Sequence, residues 1–269
     1  MNPRTLKLTI AYDGTRLVGW QRQARGMSVQ GLLEEALSRL EGAPVTVQGA
    51  GRTDAGVHAL GQVASVQVTC DHAPAVLRRA LNASLPSDVR VVDVQQVEPA
   101  FHARFSARAK TYRYVLRNGP LVSPFEHHYV WHVPEPLDLG AMQVAAQALV
   151  GTHDFAAFRS TGSTPTTTVR TITQSEMSAR TSSAWLLPPG ESGSLQSSDI
   201  DDTRLLAYEV CGNGFLRHMV RAMVGTLVEI GRGRCAPEWV TALLGGGTRS
   251  DAGPTAPAQG LFLVRVDYH

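Results

Sequence analysis

Apolar residues alternate with polar or small ones at Leu6, Leu8, Ile10 and Tyr12, a period of two that predicts a half-buried strand ended by Asp13-Gly14-Thr15. After Ser28 the period changes. Val29, Leu32, Leu33, Ala36, Leu37 and Leu40 fall at helical spacing behind a serine that can cap the first turn. Val45 and Val47 open a second strand, and residues 63–68 alternate again. Residues 75–85 read as a helix, residues 89–94 as a buried strand, and residues 105–116 as a long alternating strand. Asp138 is placed to cap a helix carrying Leu139, Met142, Ala146 and Leu149, with Gly151 as its stop. Residues 205–210 form another strand pattern. The most regular helix follows Gly212-Asn213-Gly214, with Leu216, Met219, Val220, Met223, Val224 and Leu227, and ends near Gly231. A last strand covers residues 261–266.

Several of these strands have no long crossover between them, so the pattern predicts an α+β fold on a mostly antiparallel sheet. The two halves each hold strands and a long helix. They are read as pseudo-duplicated lobes, residues 1–105 and 106–269, with a cleft between them and helices outside. Residues 188–203 lack periodicity and are rich in Ser, Gly and acid, which predicts a flexible insertion.

Composition narrows the class. The chain has 269 residues, 43% of them apolar, enough for a sizeable core. A net charge of +2 says little, but the charge is segregated. Residues 101–125 hold five bases and no acid, and residues 191–202 hold four acids and no base. A polyanion-binding face with an acidic periphery has that pattern. The first residues lead straight into a strand, and no apolar run is long enough to cross a bilayer, so neither a signal peptide nor a membrane span is expected. Cys70, Cys211 and Cys235 are far apart and odd in number, which points to a reduced, cytosolic protein without a disulfide framework. No metal-ligand spacing, P-loop or dinucleotide fingerprint is present.

The chemistry concentrates in residues 51–58, which read Gly51-Arg52-Thr53-Asp54-Ala55-Gly56-Val57-His58. A carboxylate, a guanidinium, a hydroxyl and an imidazole share one glycine-framed turn. Either it is a surface Asx-type turn, or Asp54 is a nucleophile or base oriented by an arginine. Arg108, Lys110, Tyr112, Tyr114 and Leu116 share one face of the strand read over residues 105–116. That face is either a base-stacking platform with phosphate contacts or a core face with hydroxyls turned outward. In the helix after Gly214, Arg217 and Arg221 are read as one turn apart, with Ala222 and Gly225 beside Arg221. This is an exposed charged stripe, or a site of close packing in which a buried arginine needs a carboxylate such as Asp54.

Taken in order, several segments resemble the tRNA pseudouridine synthase A family, and the likeness covers almost the whole chain. They are Tyr12-Asp13-Gly14-Thr15, Gly19-Trp20-Gln21-Arg22-Gln23, the octapeptide, Gly61-Gln62-Val63, Leu85-Pro86-Ser87-Asp88, Phe101-His102-Ala103-Arg104-Phe105, Lys110-Thr111-Tyr112-Arg113-Tyr114, Gly151-Thr152-His153-Asp154-Phe155, Met219-Val220-Arg221-Ala222-Met223-Val224-Gly225 and Gln259-Gly260-Leu261-Phe262-Leu263. The resemblance implies that Asp54 is the catalytic aspartate and that Arg221 pairs with it. Arg52 then holds the target nucleotide out, Tyr112 stacks on the uracil, and Leu263 or a neighbour walls the pocket. Arg108, Lys110 and Arg217 are taken as further RNA contacts. It also implies a homodimer acting on the anticodon stem-loop of tRNA without cofactor or metal. Leu17-Val18 departs from the aromatic that many relatives carry before Gly-Trp-Gln.

Isomerising uridine to pseudouridine breaks the C1′–N1 bond, turns the ring and rejoins it through C5. One carboxylate can serve by attacking C6, attacking C1′ or removing a proton from C2′. A non-catalytic stem-loop binder would not need a carboxylate near phosphate. A glycosidic-bond hydrolase would bring two carboxylates together, and Asp54 stands alone in such a setting.

Overall fold

A computed structural model describes residues 3–160, 162, 166–180 and 204–268. The acidic stretch at 188–203 lies outside them. Ten strands and five α-helices are found among the described residues, an α+β fold as the pattern predicts. The chain packs as two compact units, Met1–Thr111 with Phe262–His269, and Tyr112–Leu261.

The first unit holds β1 (Arg4–Tyr12), α1 (Val29–Glu41), β2 (Gln48–Gly49), β3 (His58–Val68), α2 (Pro74–Ser84) and β4 (Val89–Val97). It also takes the first residues of β5 (Ala109–Asn118) and most of the last strand, β10 (Leu261–Asp267). The strand order is β4-β1-β3-β10, with β2 on β3. All these pairings are antiparallel except β10 on β3, which is parallel. Leu6, Leu8 and Ile10 of β1 are fully buried, as their alternation requires. The Ser28 hydroxyl caps α1 by accepting the Gly31 amide, and Gly42 closes it at φ 72.

Two expectations change here. β2 is shorter than Val45 and Val47 suggest, because α1 captures their amides. Val45 donates to the Ser38 hydroxyl at 3.0 Å and Val47 to the Glu34 carboxylate at 3.2 Å. β4 is half-buried rather than buried: Val89, Val91 and Val94 lie inside while Arg90, Val92, Gln95 and Gln96 are exposed, as when only one face of a strand is covered.

The second unit takes the rest of β5, then β6 (Trp131–Val133), α3 (Leu139–Gln147), β7 (Gly151–Asp154), β8 (Val169–Arg180), β9 (Arg204–Gly212), α4 (Met219–Gly231) and α5 (Trp239–Leu244). Its strand order is β5-β9-β8-β7, with β6 parallel on β5. Asp138 caps α3 by accepting the Ala141 amide at 3.0 Å. From Thr111 onward every residue of β5 is buried, so both its faces lie inside. Arg113 is buried there with an ion pair to Glu209 at 2.6 Å.

Candidate active site and family assignment

Residues 51–58 are not a plain surface turn. Thr53, Val57 and His58 are buried, Asp54 is half-buried, and Arg52 and Ala55 are exposed. The Val57 amide closes the turn on the Asp54 carbonyl at 3.2 Å, and Gly56 takes φ 78, a conformation that glycine adopts without strain.

Neighbouring backbone comes unusually close. A Cβ on Gly14 would lie 2.1 Å from the Val57 carbonyl oxygen, and one on Gly19 2.5 Å from that of Thr53. The Trp20 amide donates to the Thr53 carbonyl at 3.1 Å, while the Gly19 and Trp20 carbonyls accept the first amides of α1. The same short segment therefore anchors both the helix start and the turn. Below it, the Tyr12 and Thr53 hydroxyls are 2.8 Å apart, and the Gln62 side-chain amide donates to the Gly51 carbonyl at 3.0 Å. Burial pushes the Tyr12 phenol up to about 12, partly offset by hydrogen bonds with Thr53 and Gln62. Tyr12 thus stays protonated as a structural hydroxyl.

His58 is a satisfied core histidine. Its Nδ1 accepts the Gly14 amide at 3.0 Å and lies 3.2 Å from the Asp13 carboxylate. Its ring stacks on Phe262 of β10 at 4.7 Å. The next residue of β10, Leu263, is fully buried and pairs with Ala59.

Lys110 also belongs to this unit. Its ammonium sits against Gly51, within 3.4 Å of where a Cβ would stand. Burial holds its pKa below the usual lysine range, and the charge of Arg104 adds to the effect. Arg108 is exposed and precedes β5, its amide bonded to the Asp267 carbonyl at 2.8 Å.

In the second unit the two tyrosines of β5 separate. Tyr114 is a core residue. It is fully buried, donates to the Pro257 carbonyl at 2.8 Å and packs edge-on against Trp131. Burial raises its phenol well above the usual range, against which the nearby Arg221 charge acts. Tyr112 keeps 8% exposure and meets the Phe215 ring edge-on at 5.0 Å.

Arg221 lies in the first turn of α4. Its Nε donates to the Ala256 carbonyl at 2.7 Å, and the Ala256 amide donates back to the Arg221 carbonyl at 3.0 Å. Close packing beside it is real: a Cβ on Gly225 would stand 1.6 Å from the Pro254 carbonyl oxygen.

The expected basic stripe of Arg217 and Arg221 one turn apart on one helix needs correction. α4 begins only at Met219, because His218 adopts a left-handed φ of 61 and breaks the helix there. Arg217 is exposed and sits before that break.

The residues that sequence reasoning gave no role, Tyr12, Gly14, Gly19 and Gln62, form the scaffold of the turn. Their signal in the sequence is their place in the segments Tyr12-Asp13-Gly14-Thr15, Gly19-Trp20-Gln21-Arg22-Gln23 and Gly61-Gln62-Val63. Among the described residues no group of three or more His, Cys, Asp or Glu side chains is placed to hold a metal ion, and no helix is long and apolar enough to cross a membrane.

The chain matches the family model described as tRNA pseudouridine synthase over residues 8–106 and 145–269. It is 46% identical to tRNA pseudouridine synthase A of Syntrophotalea carbinolica over 98% of this chain and 96% of that protein. The protein of the same name from Maridesulfovibrio salexigens is 45% identical, over 98% of this chain and 90% of the other. That from Pelobacter propionicus is 44% identical, over 98% and 100%. The chain belongs to the tRNA pseudouridine synthase family, isomerases that convert uridine to pseudouridine in tRNA.

Proposed function

We propose that this chain isomerises uridines at nucleotide positions 38 to 40 of the anticodon stem-loop, with Asp54 as the catalytic carboxylate. The observation that carries the residue assignment is the turn itself. Its backbone is clamped from Gly14, Gly19, Trp20 and Gln62 while Asp54 stays half-buried between the buried Thr53 and the exposed Ala55. Positioning of this kind is what a single nucleophile or base needs.

Each route open to one carboxylate, attack at C6, attack at C1′ or removal of the C2′ proton, ends with the uracil joined through C5 and the mass unchanged. Arg221 is assigned as the cation that pairs with the carboxylate. Tyr112 stacks on the uracil and retains it while the ring turns. Arg52 is exposed on the turn and suited to hold the extruded nucleotide, since a stacked base must leave the helix first. Arg108, Lys110 and Arg217 contact phosphate, and Leu263 walls the pocket. The protein acts as a homodimer in the cytoplasm and uses no cofactor.

The test is incubation with an unmodified tRNA labelled in its uridines. Pseudouridine at positions 38 to 40 with unchanged mass is expected. Release of uracil would make the chain a hydrolase, and unchanged uridine with tight binding would make it a binder.

A further inference from the structure

The alternating pattern puts Phe105 in a strand, but residues 102–106 fold back on themselves. The Ser106 amide donates to the His102 carbonyl at 2.9 Å, and the His102 amide donates to the Ser106 hydroxyl at 3.1 Å. Within this ring the His102 Nδ1 accepts the amides of Arg104 at 3.1 Å and Phe105 at 3.3 Å. Amides used this way are lost to the sheet, so β5 starts only at Ala109. The loop is pinned from below. The Ala103 amide donates to the Ser65 hydroxyl at 3.0 Å, and its carbonyl accepts the Tyr268 hydroxyl at 2.8 Å.

Ala103 is fully buried, yet Phe105 is 77% exposed. Its ring lies 4.4 Å from the His102 ring, and the Arg104 guanidinium sits 5.6 Å from its centroid. Along the chain the ring is flanked by Arg104, Ser106 and, further on, Arg108, polar or cationic side chains that suit a polyanion. The cations continue inward. Arg104 is near enough for its charge to act on Lys110, whose ammonium lies against Gly51, the first residue of the Asp54 turn. An exposed aromatic fixed by hydrogen bonds, with cations leading from it to the reactive turn, matches what a single-stranded RNA segment requires: a π-face for a base and positive charge for the adjoining phosphate.

We propose that Phe105, braced by His102 and Arg104, is a stacking platform for an unpaired base flanking the target uridine, with Lys110 taking the phosphate between the two. This rests on the reading of the Asp54 turn as the reactive site.

The experiment measures tRNA affinity and single-turnover rate at saturating enzyme. Phe105→Leu keeps apolar bulk but removes the π-face, and should weaken tRNA binding roughly five- to hundredfold. The saturated rate should stay within about twofold, because stacking on a flanking base binds ground and transition states alike. Phe105→Trp should restore affinity, and its introduced indole should be quenched by tRNA.

A purely structural role is separated by a cycle with abasic RNA. Unpaired loop nucleotides are replaced by abasic sites one at a time. At one position the wild type should lose what Phe105→Leu lost, and the variant should lose nothing more. Wild-type affinity in Phe105→Leu, additive losses at every position, or an unquenched indole would each overturn the platform. If the wild-type enzyme leaves tRNA uridines unchanged, the reading of the turn falls. If it isomerises them while Phe105→Leu binds normally, only the platform falls.

Discussion

The turn at residues 51–58 and the helix α4 both use glycine to admit a backbone carbonyl where a side chain would stand, but from opposite sides. At the turn the glycines belong to the neighbouring segment, and Gly14 and Gly19 receive carbonyls of Val57 and Thr53. In α4 the glycine belongs to the element itself, and Gly225 receives the carbonyl of Pro254. The anchoring differs accordingly. The turn is held through its backbone and through Thr53, Val57 and His58, the residues on either side of Asp54. Arg221 is held by its own guanidinium, on the Ala256 carbonyl. A carboxylate carried on a clamped backbone takes its position from residues far away in sequence. A long flexible guanidinium needs a hydrogen bond of its own to lose the same freedom.

Substituting the two kinds of glycine should have the largest effects, and different ones. Gly225→Ala puts a methyl group onto the Pro254 carbonyl inside a packed helix face, and should lower stability by about 3 kcal/mol or more. Gly14→Ala should displace the turn at Val57, so turnover falls further than stability does. Denaturant unfolding and single-turnover rates, measured on both variants, check the split. A Gly225→Ala protein as stable as the wild type would mean that the loop does not sit on α4.

Arg221 comes next. Arg221→Met loses both charge and hydrogen bond and should slow the saturated rate by roughly a hundredfold, the scale expected when a catalytic group is misplaced. Arg221→Lys keeps the charge but not the planar Nε–H donor, and should fall between Met and wild type. Equal rates for Lys and wild type would show that the Ala256 contact does not position the cation.

Tyr112 sharpens the contrast between the tyrosines of β5. Tyr112→Phe should bind and turn over like the wild type, whereas Tyr112→Ala should lose roughly five- to hundredfold in affinity with the stacking face. Tyr114→Phe should instead lose about 1 kcal/mol of stability with the Pro257 hydrogen bond, and leave affinity unchanged.

The smallest effect lies away from the site. Burial would raise the Glu41 carboxyl, but hydrogen bonds from Cys70 and Thr69 bring it from 4.5 down to about 2. A lowered carboxyl contributes stability that is complete above its unfolded value and is lost as pH falls towards the folded one. Glu41→Gln should therefore flatten the stability profile between about pH 5 and pH 2, and leave tRNA turnover at neutral pH untouched. An unchanged acid profile would remove Glu41 as its source.

Elements whose signals are local were legible in the chain. Ser28 caps α1 where the helical spacing begins, and Asp138 caps α3. Elements decided by a distant or side-chain claim on an amide were not. Periodicity at Val45 and Val47 cannot show that Ser38 and Glu34 take their amides, nor can the alternation at Phe105 show that His102 does. Helical spacing at Leu216 likewise hides the left-handed backbone at His218. The octapeptide stood out because its chemistry is concentrated in eight consecutive residues. Its supports did not, because Tyr12 and Gln62 lie about 40 and 10 residues away and meet only when β1 and β3 pair. A shared strand face could not tell Tyr112 from Tyr114, since both alternatives for that face put them on one side.

Asp54 is proposed to carry the chemistry, and the comparison that decides it sets Asp54→Asn against the wild type in two measurements on the same tRNA, the single-turnover rate at saturating enzyme and the affinity. The substitution keeps the shape of the side chain and removes the charge. Turnover should fall by roughly a thousandfold or more, while affinity for the polyanion should hold or rise. Residual turnover within about tenfold of the wild type would contradict the assignment, because losses of that size are within reach of mere repositioning.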